Sequence, residues 1–386
     1  MISNVLDRYL QFEQRVNPGS PSGFSAKHRP PPQYDPLMVN SFSLPLIRVA
    51  ARDLVQVGAV PESVPLHDDV VPVYPTDRPT LERGVPDGEV TCYPTASGRT
   101  VIIVGVGKEQ RLWHVKLSYP GILGRVYREL PWLKAVAGVE NTRDLQERGG
   151  GGFLAFLPEL ACRGVWTESQ TTCFVLRDHA PWPQHLGGEL VPWFSLLAGG
   201  TAAANAWDAV FGEASFDRAW GLLESLLRGY FSWVLEFGVM PEINAQNLLV
   251  ESGPSGTLRP VARDLGRAER LLHVRRRAAL PDPQLSPAYK VIDADADLTT
   301  AQTRHSFSFD FKLSKYVIAP FIEALGPYVE TATQLSDRVR ELTRDLIAAD
   351  PDAARWFPPR QHSYGHEKVL LTAARPYVNL GPALYR

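Results

Sequence analysis

Two short stretches near the middle of the chain carry residue types suited to nucleotide chemistry. Glu242-Ile243-Asn244-Ala245-Gln246-Asn247 leads into the apolar run Leu248-Leu249-Val250, and a second run, Leu258 to Ala262, leads out into Arg263-Asp264-Leu265-Gly266. The turn-rich Ser252-Gly253-Pro254-Ser255-Gly256 between them makes the two runs a β-hairpin. An amide before one strand and a carboxylate after its partner meet at one end of such a hairpin. Asn247 and Asp264, with Glu242 as a further oxygen donor, can there hold one Mg2+ whose remaining octahedral positions go to nucleotide phosphates. Taken singly, Asn247 or Asp264 is more often a turn former; the pair across a hairpin is what points to the metal.

A second constellation precedes the first. Ser97-Gly98-Arg99-Thr100 opens a β-like run, and Lys116 sits on the next one. Hydroxyls, a backbone N–H and a guanidinium in one turn, beside a strand lysine, suit the gripping of phosphates or carboxylates. The plainer reading of Lys116, flanked by Val115 and Leu117, is a side chain that alternation turns toward solvent. Arg128 follows twelve residues later. Its guanidinium can clamp a carboxylate through two parallel bonds, or simply pair with Glu129 or Asp144.

The elements that must position these groups follow from periodicity. A short helical pattern (Val5, Leu6, Tyr9, Leu10, Phe12) opens the chain, and residues 1–86 then run through Pro18, Pro21, Pro30, Pro31, Pro32 and Pro36, an irregular segment in which regular structure is hard to hold. Residues 87–185 carry short β-like runs at 90–93, 100–107, 113–118 and 173–176, with helices expected over about 122–148. Residues 186–386 turn helical. Phe216, Trp220, Leu223, Leu227, Tyr230, Phe231, Val234 and Leu235 recur by threes and fours up to Gly238, and further helices are expected near 311–325 and 329–349, the last stopped by Asp350-Pro351. The expected architecture is α+β: an antiparallel β-rich lobe feeding a mainly helical lobe with an embedded hairpin, and a cleft between lobes is where substrates bind.

Composition removes whole classes of function. The chain has 386 residues, 44% of them hydrophobic and 21% charged, and its net charge of −2 supplies no global field for nucleic acid or an anionic membrane surface. No apolar run reaches the length of a membrane helix, and the first residues do not read as an export signal. Cys92, Cys162 and Cys173 are odd in number and lack C-x-x-C spacing, which argues against a disulfide scaffold or a zinc site and fits a cytoplasmic protein. The expected partners are small molecules, with a homodimeric assembly left open. His362 and His366 are spaced to chelate a metal but lack a third ligand. Asp293, Asp295 and Asp297 lack the glycine and terminal glutamate of a calcium loop, and Arg275-Arg276-Arg277 reads as a solvated face.

In order along the chain, these segments resemble the siderophore synthetases that work independently of nonribosomal peptide synthetases, the aerobactin-synthetase type. Ser97-Gly98-Arg99-Thr100 resembles that family's S-x-R-T, Lys116-Leu117-Ser118 its K-x-S, and Arg128 the substrate-binding arginine that follows. Cys173 to Arg177 is similar to its G-x-I-x-R strand, Glu242 to Asn247 to E-x-H-x-Q-N, Arg263-Asp264 to R-D, and Lys368 to Leu371 with Val378-Asn379 to K-x-L-L…V-N-P. The resemblance spans about residues 17–386. It implies a cupped-hand fold with fingers and palm, and an activity that adenylates a carboxylic acid with MgATP and passes the acyl group to an amine or hydroxyl. On that basis Ser97, Arg99, Thr100 and Lys116 hold ATP phosphates, Asn247, Asp264 and Glu242 serve Mg2+ and nucleotide, and Arg128, Asn244 and Lys368 bind the acid, with Lys116, Arg99 and Arg128 carrying the chemistry.

The chain departs from the family where histidines are expected. H-P-x-H-P-x-x-K appears as Asn17-Pro18-Gly19-Ser20-Pro21-Ser22-Gly23-Phe24, with Lys27 or Arg29 available to replace its charge; P-V-H-P-W-Q appears as Pro72-Val73-Tyr74-Pro75-Thr76-Asp77, and the histidine of E-x-H-x-Q-N is Asn244. Fewer cations for the acid imply a mono- or dicarboxylate in preference to citrate. Two other readings stand beside the ligase. Glu242 and Asn247 have the offset of a kinase catalytic loop and Asp264-Leu265-Gly266 resembles a metal-binding D-F-G, which suggests a small-molecule kinase. The missing histidines also allow a non-catalytic nucleotide-binding subunit.

Overall fold

In the computed structural model, the structure describes residues 2–14, 28–107, 111–124, 126–166, 171–184, 186–197, 206–210, 212, 216–253, 256–281, 290–325, 332–357, 362–363, 378–379 and 383–386. An eight-stranded sheet in the order β2-β10-β11-β6-β5-β4-β1-β3 forms the fingers. Its members are β1 (Phe42–Arg48), β2 (Leu54–Gly58), β3 (Val70–Pro72), β4 (Val85–Pro94), β5 (Thr100–Val104), β6 (Leu112–Leu117), β10 (Glu159–Trp166) and β11 (Thr171–Asp178), joined throughout by antiparallel pairing. Two-residue strands β7 (Ile122–Leu123) and β8 (Val126–Tyr127) form a small ribbon beyond β6.

The expectation that residues 1–86 are irregular is corrected here: they supply β1, β2 and β3, and β4 already begins at Val85. Proline is tolerated because Pro45 lies at a bulge in β1, where its missing N–H interrupts no regular ladder. The helix expected from about 122 starts only at Trp132, after Pro131, because Gly124 adopts a positive φ of 67° in the β7–β8 turn. The stretch near 311–325 is helical, but residues Phe307–Ile318 wind as a wide π-type turn before a regular helix resumes at Ala319.

Strands β5 and β6 are buried on both faces, which fixes the direction of every side chain on them. Val101, Ile103, Val115 and Leu117 enter one core with Leu44, Val71, Phe174 and Leu176. Ile102 and Leu112 enter another, formed by Leu6, Tyr9 and Leu10 of the Ile2–Glu13 helix and by Leu249 and Val261 of the hairpin. Alternation therefore puts His114 and Lys116 on the hairpin side.

The hairpin is β14 (Leu248–Ser252) and β15 (Leu258–Ala262), the register pairing Leu248 with Ala262. It lies in a four-stranded sheet, β12-β14-β15-β9, with β9 (Ala155–Phe156) parallel to β15 and β12 (Glu189–Pro192) at the other edge. A three-stranded sheet follows: β13 (Val239–Met240), β16 (Glu269–Leu271) and β17 (Lys290–Ile292). The Phe216–Leu235 helix buries Leu222, Leu223, Leu226, Leu227, Tyr230, Phe231 and Val234 in the palm core, as its spacing predicts. Gly229 lets that helix meet Leu154: a Cβ there would lie 2.3 Å from the Leu154 Cβ.

Candidate active site

The hairpin end is built by short-range hydrogen bonds. The Asn244 side-chain oxygen accepts the backbone N–H groups of Gln246 (2.9 Å) and Asn247 (3.2 Å), and the Asn247 side-chain amide donates to the Glu242 carbonyl at 3.1 Å. Asn244 thus spends its oxygen on shaping the turn. The Arg263 N–H donates to the Asn247 carbonyl at 2.9 Å, so Asn247 and the Arg263-Asp264 pair lie side by side across the hairpin mouth.

Asp264 sits at φ 70°, ψ 60°, the left-handed region a non-glycine residue rarely adopts. That turn sends the neighbouring side chains to opposite sides. Arg263 points to the Ile2–Glu13 helix, donating to Glu13 through Nη1 (3.0 Å) and Nη2 (3.2 Å) and to the Gln246 carbonyl at 2.7 Å. Asp264 points to the fingers, where its carboxylate accepts a bond from Lys116 Nζ. Both partners of this ion pair are largely buried. Lys116 is therefore no solvent-facing lysine; it ties the sheet lobe to the hairpin.

The charges set one another's protonation. Burial would raise the Asp264 carboxyl, but Lys116, Arg177 and Arg267 hold it far below the usual carboxylate range. Burial lowers Lys116, with Asp264 opposing and Arg99 adding to the fall. Burial and the Arg128 charge bring the Arg99 guanidinium down to about 9. Arg128 is lowered too, by burial and then by Arg267. These couplings join Arg99, Lys116, Arg128 and Arg267 into one positive basin around Asp264.

The Ser97 turn is held by its own hydroxyl, which accepts the Thr100 N–H at 2.8 Å while Gly98 takes a positive φ of 72°. Thr100 pairs with Lys116 across β5 and β6. Arg99 Nη1 donates to the Arg128 carbonyl, so the two expected substrate-binding arginines are adjacent. Arg128 follows β8 rather than riding a helix, and its Nε donates to the Leu123 carbonyl at 3.4 Å. Asp144 is engaged by Arg148, Arg270 and Arg275.

Glu242, expected among the metal ligands, gives one oxygen to Lys312 Nζ (2.9 Å) and the other to Arg267 (3.5 Å). Burial would raise this carboxyl, yet the Lys312 and Arg267 charges bring it down to about 2. Among the described residues no group of three His, Cys, Asp or Glu is placed to hold a metal ion. The donors suit Mg2+ only as an ion shared with phosphate oxygens, with Asp264 and Asn247 beside each other and Asp264 held ionised. Glu242 does not fit that set.

Sequence reasoning missed Arg267, Lys312 and Glu13. Arg267 lies one residue beyond the Arg263-to-Gly266 motif; the other two have no local signal. The remaining motifs are structural where they are described. Asp297 caps the Leu298–Ser306 helix by accepting the Thr300 N–H at 2.9 Å, Asp293 and Asp295 pair with Arg276, and Arg277 pairs with Asp350 and Asp352. Arg275 is buried against Asp144, not solvated, and Arg29 pairs with Asp35. His362 lies in a two-residue strand. Lys368, His366, Lys27 and residues 17–24 lie outside the described residues. Cys92, Cys162 and Cys173 are buried and unpaired, their thiols raised chiefly by burial. No described helix is long and apolar enough to cross a membrane.

No protein-family model matches the chain, and no curated protein matches it by sequence. Solved structures do match in three dimensions. ATP-bound aerobactin synthetase IucA from a hypervirulent pathotype of Klebsiella pneumoniae aligns with 99% of this chain and 78% of its own at 15% identity and a TM-score of 0.69. The chain has the fold of the siderophore synthetases. Aerobactin synthetase IucC of the same pathotype aligns over 85% of this chain and 68% of its own, at 17% identity and a TM-score of 0.62. Petrobactin biosynthesis protein AsbB from Bacillus anthracis aligns over 92% and 70%, at 14% identity and a TM-score of 0.71. Within the siderophore-synthetase fold, the Ser97 turn, Lys116 and the hairpin mouth come together where β5 and β6 face the palm.

Proposed function

We propose that the protein is an ATP-dependent ligase that adenylates a carboxylic acid and condenses it with an amine or hydroxyl, in the assembly of a siderophore-like or other specialised metabolite. The observation that carries this reading is the basin at the hairpin mouth, where Arg99, Lys116, Arg128, Arg267 and Lys312 outnumber the carboxylates of Asp264 and Glu242. So large an excess of partly buried cations is costly without an anion between them, and a triphosphate with a carboxylate supplies one.

In the first step a carboxylate oxygen attacks the α-phosphorus of ATP and pyrophosphate leaves. The amine or hydroxyl then attacks the acyl carbon, AMP leaves and a proton is released. Lys116 and Arg99 face the phosphates, preorganised where charge develops; Ser97 shapes the turn that presents Arg99, and Thr100 fixes that turn to Lys116. Arg128 orients the acid. Asn247 and Asp264 would hold Mg2+ against the phosphate chain. The ion supplies charge neutralisation to the phosphates when bound. Lys368 joins the acid-binding set on the resemblance alone, and Asn244 offers its amide N–H groups.

IucA is a structure with ATP bound, which supports nucleotide as the co-substrate. A phosphotransferase reading needs Glu242 as a free base, whereas Lys312 and Arg267 occupy both of its oxygens. Incubating the protein with MgATP and a panel of mono-, di- and tricarboxylic acids, with hydroxylamine as trap, tests the proposal. The expected result is an acid-dependent hydroxamate. Phosphorylated acid or acceptor with no hydroxamate would overturn the ligase reading.

A further inference from the structure

The Ile2–Glu13 helix ends against both halves of the site. The last turn of a helix leaves carbonyls without partners inside it, and here other elements take them. The Phe12 carbonyl accepts the buried Ser195 hydroxyl at 2.5 Å, and the Glu13 carbonyl accepts the Ala96 N–H at 3.0 Å. Ala96 stands immediately before the Ser97 turn. The Glu13 carboxylate meanwhile accepts from Arg263 Nη1 at 3.0 Å and Nη2 at 3.2 Å, and from the Tyr9 hydroxyl at 3.0 Å. Arg263 stands immediately before Asp264. Tyr9, Glu13 and Arg263 are all buried.

Stability alone does not call for a charge here, because a buried ion pair is often replaceable by apolar side chains without loss. What the pair orients is more telling. Asp264 holds a left-handed backbone, a strain that persists only where the surrounding structure over-determines it. Arg263 donates to the Gln246 carbonyl at 2.7 Å and, through its backbone N–H, to the Asn247 carbonyl at 2.9 Å, both at the hairpin mouth. Its other partners, Glu13 and Tyr9, belong to the helix. The Ser97 turn is tied in the same way. Thr95 and the Ser97 hydroxyl close it on Thr100, while the Ala96 N–H leaves it for Glu13. One residue thus joins the turn read as the phosphate grip to the turn that carries Asp264, a second tie beside the Lys116–Asp264 pair.

We propose that Glu13 is a positioning residue of the site: acting through Ala96 and Arg263, it sets the separation between the Ser97 turn and Asp264. That separation is the one over which nucleotide phosphates and their metal ion must be held together. The proposal rests on the ligase reading for the nucleotide, but not for the tie itself.

Two measurements on the whole chain test it, with Glu13→Gln, Glu13→Asp and a control, Ser195→Ala, which releases the helix end at Phe12 and leaves the Glu13 contacts in place. The first is hydrogen–deuterium exchange without ligand, at a temperature where the variants are folded. Peptides spanning Thr95–Thr100 and Arg263–Arg267 should both exchange about tenfold faster in Glu13→Gln and keep wild-type rates in Ser195→Ala, although the latter melts lower. Glu13→Asp should fall between, and it carries the comparison if Glu13→Gln does not fold. The second is calorimetry of ATP with Mg2+ and with a chelator. The gain in ATP affinity that Mg2+ gives the wild type should shrink about tenfold in Glu13→Gln, return in part in Glu13→Asp and persist in Ser195→Ala. A Glu13→Gln protein that melts lower with both peptides and the Mg2+ gain unchanged would make Glu13 a structural residue and overturn the proposal, as would loosening of only one peptide. A wild type that binds no ATP would sink the ligase reading, while the exchange comparison would still decide whether Glu13 ties the two turns.

Discussion

The Lys116–Asp264 pair is the contact between fingers and hairpin whose removal is most informative. Lys116→Met keeps the length and apolar stem of the side chain and deletes the charge. Both partners are buried, so Asp264 would be left as an ion with its closest cation gone. Breaking a buried pair from one side costs about 3–5 kcal/mol. Arg177 and Arg267 still act on Asp264, which places the expected loss at the lower end, about 3 kcal/mol. The sign with pH follows from the depressed carboxyl. Its stabilisation is present above the unfolded carboxylate value and is lost as pH falls through the folded one. In Lys116→Met the folded value moves up, so the acid limb of the stability curve begins at higher pH than in the wild type. Urea unfolding across pH, combined with Asp264→Asn and the double variant, reads both effects. The double variant should be more stable than the sum of the single losses predicts, by about 2 kcal/mol. Additive losses within a few tenths of a kcal/mol, or an unshifted acid limb, would refute the reasoning.

Three further outcomes follow from the same geometry. Arg99→Lys retains the charge but not the planar fork that reaches the Arg128 carbonyl, and nucleotide affinity by calorimetry should fall about tenfold with the fold intact. Gly266→Ala sets a Cβ 2.4 Å from the Lys134 carbonyl; it should destabilise the protein by about 1–3 kcal/mol and weaken ligand binding by displacing Asp264, both measurable by thermal shift with and without MgATP. Glu13→Gln removes the charge that Arg263 grips with both Nη groups, and should lower stability by about 3 kcal/mol in urea while Glu13→Asp loses less.

The sequence and the structure agree where a local pattern was enough. The hairpin was legible because a turn-rich stretch separates two apolar runs, and its ends had to lie together whatever surrounded them. The long palm helix was legible from spacing by threes and fours. The direction of Lys116 was not, because alternation gives two faces and cannot say that the Ile2–Glu13 helix and the hairpin cover the second one. Strands β1 and β3 were obscured by prolines that the sheet accommodates, Pro45 beside the bulge of β1 and Pro72 at the end of β3. Lys312 and Glu13 reach the site from elements far apart in the chain. Their placement is a product of packing, and no spacing rule finds it. Conversely, Glu242 matched a family motif but met Lys312 in space, which turned an expected metal ligand into one side of an ion pair.

The central claim is that the cations at the hairpin mouth activate a carboxylate by transferring AMP to it. Phosphorus NMR of the nucleotide products, with MgATP and the acid that gives hydroxamate, reads this without any coupled assay. The expected spectrum shows AMP and pyrophosphate appearing in equal amounts only when the acid is present, with both lost in Lys116→Met. ADP and orthophosphate or a phosphorylated product in their place, or AMP formed equally without acid, would contradict it.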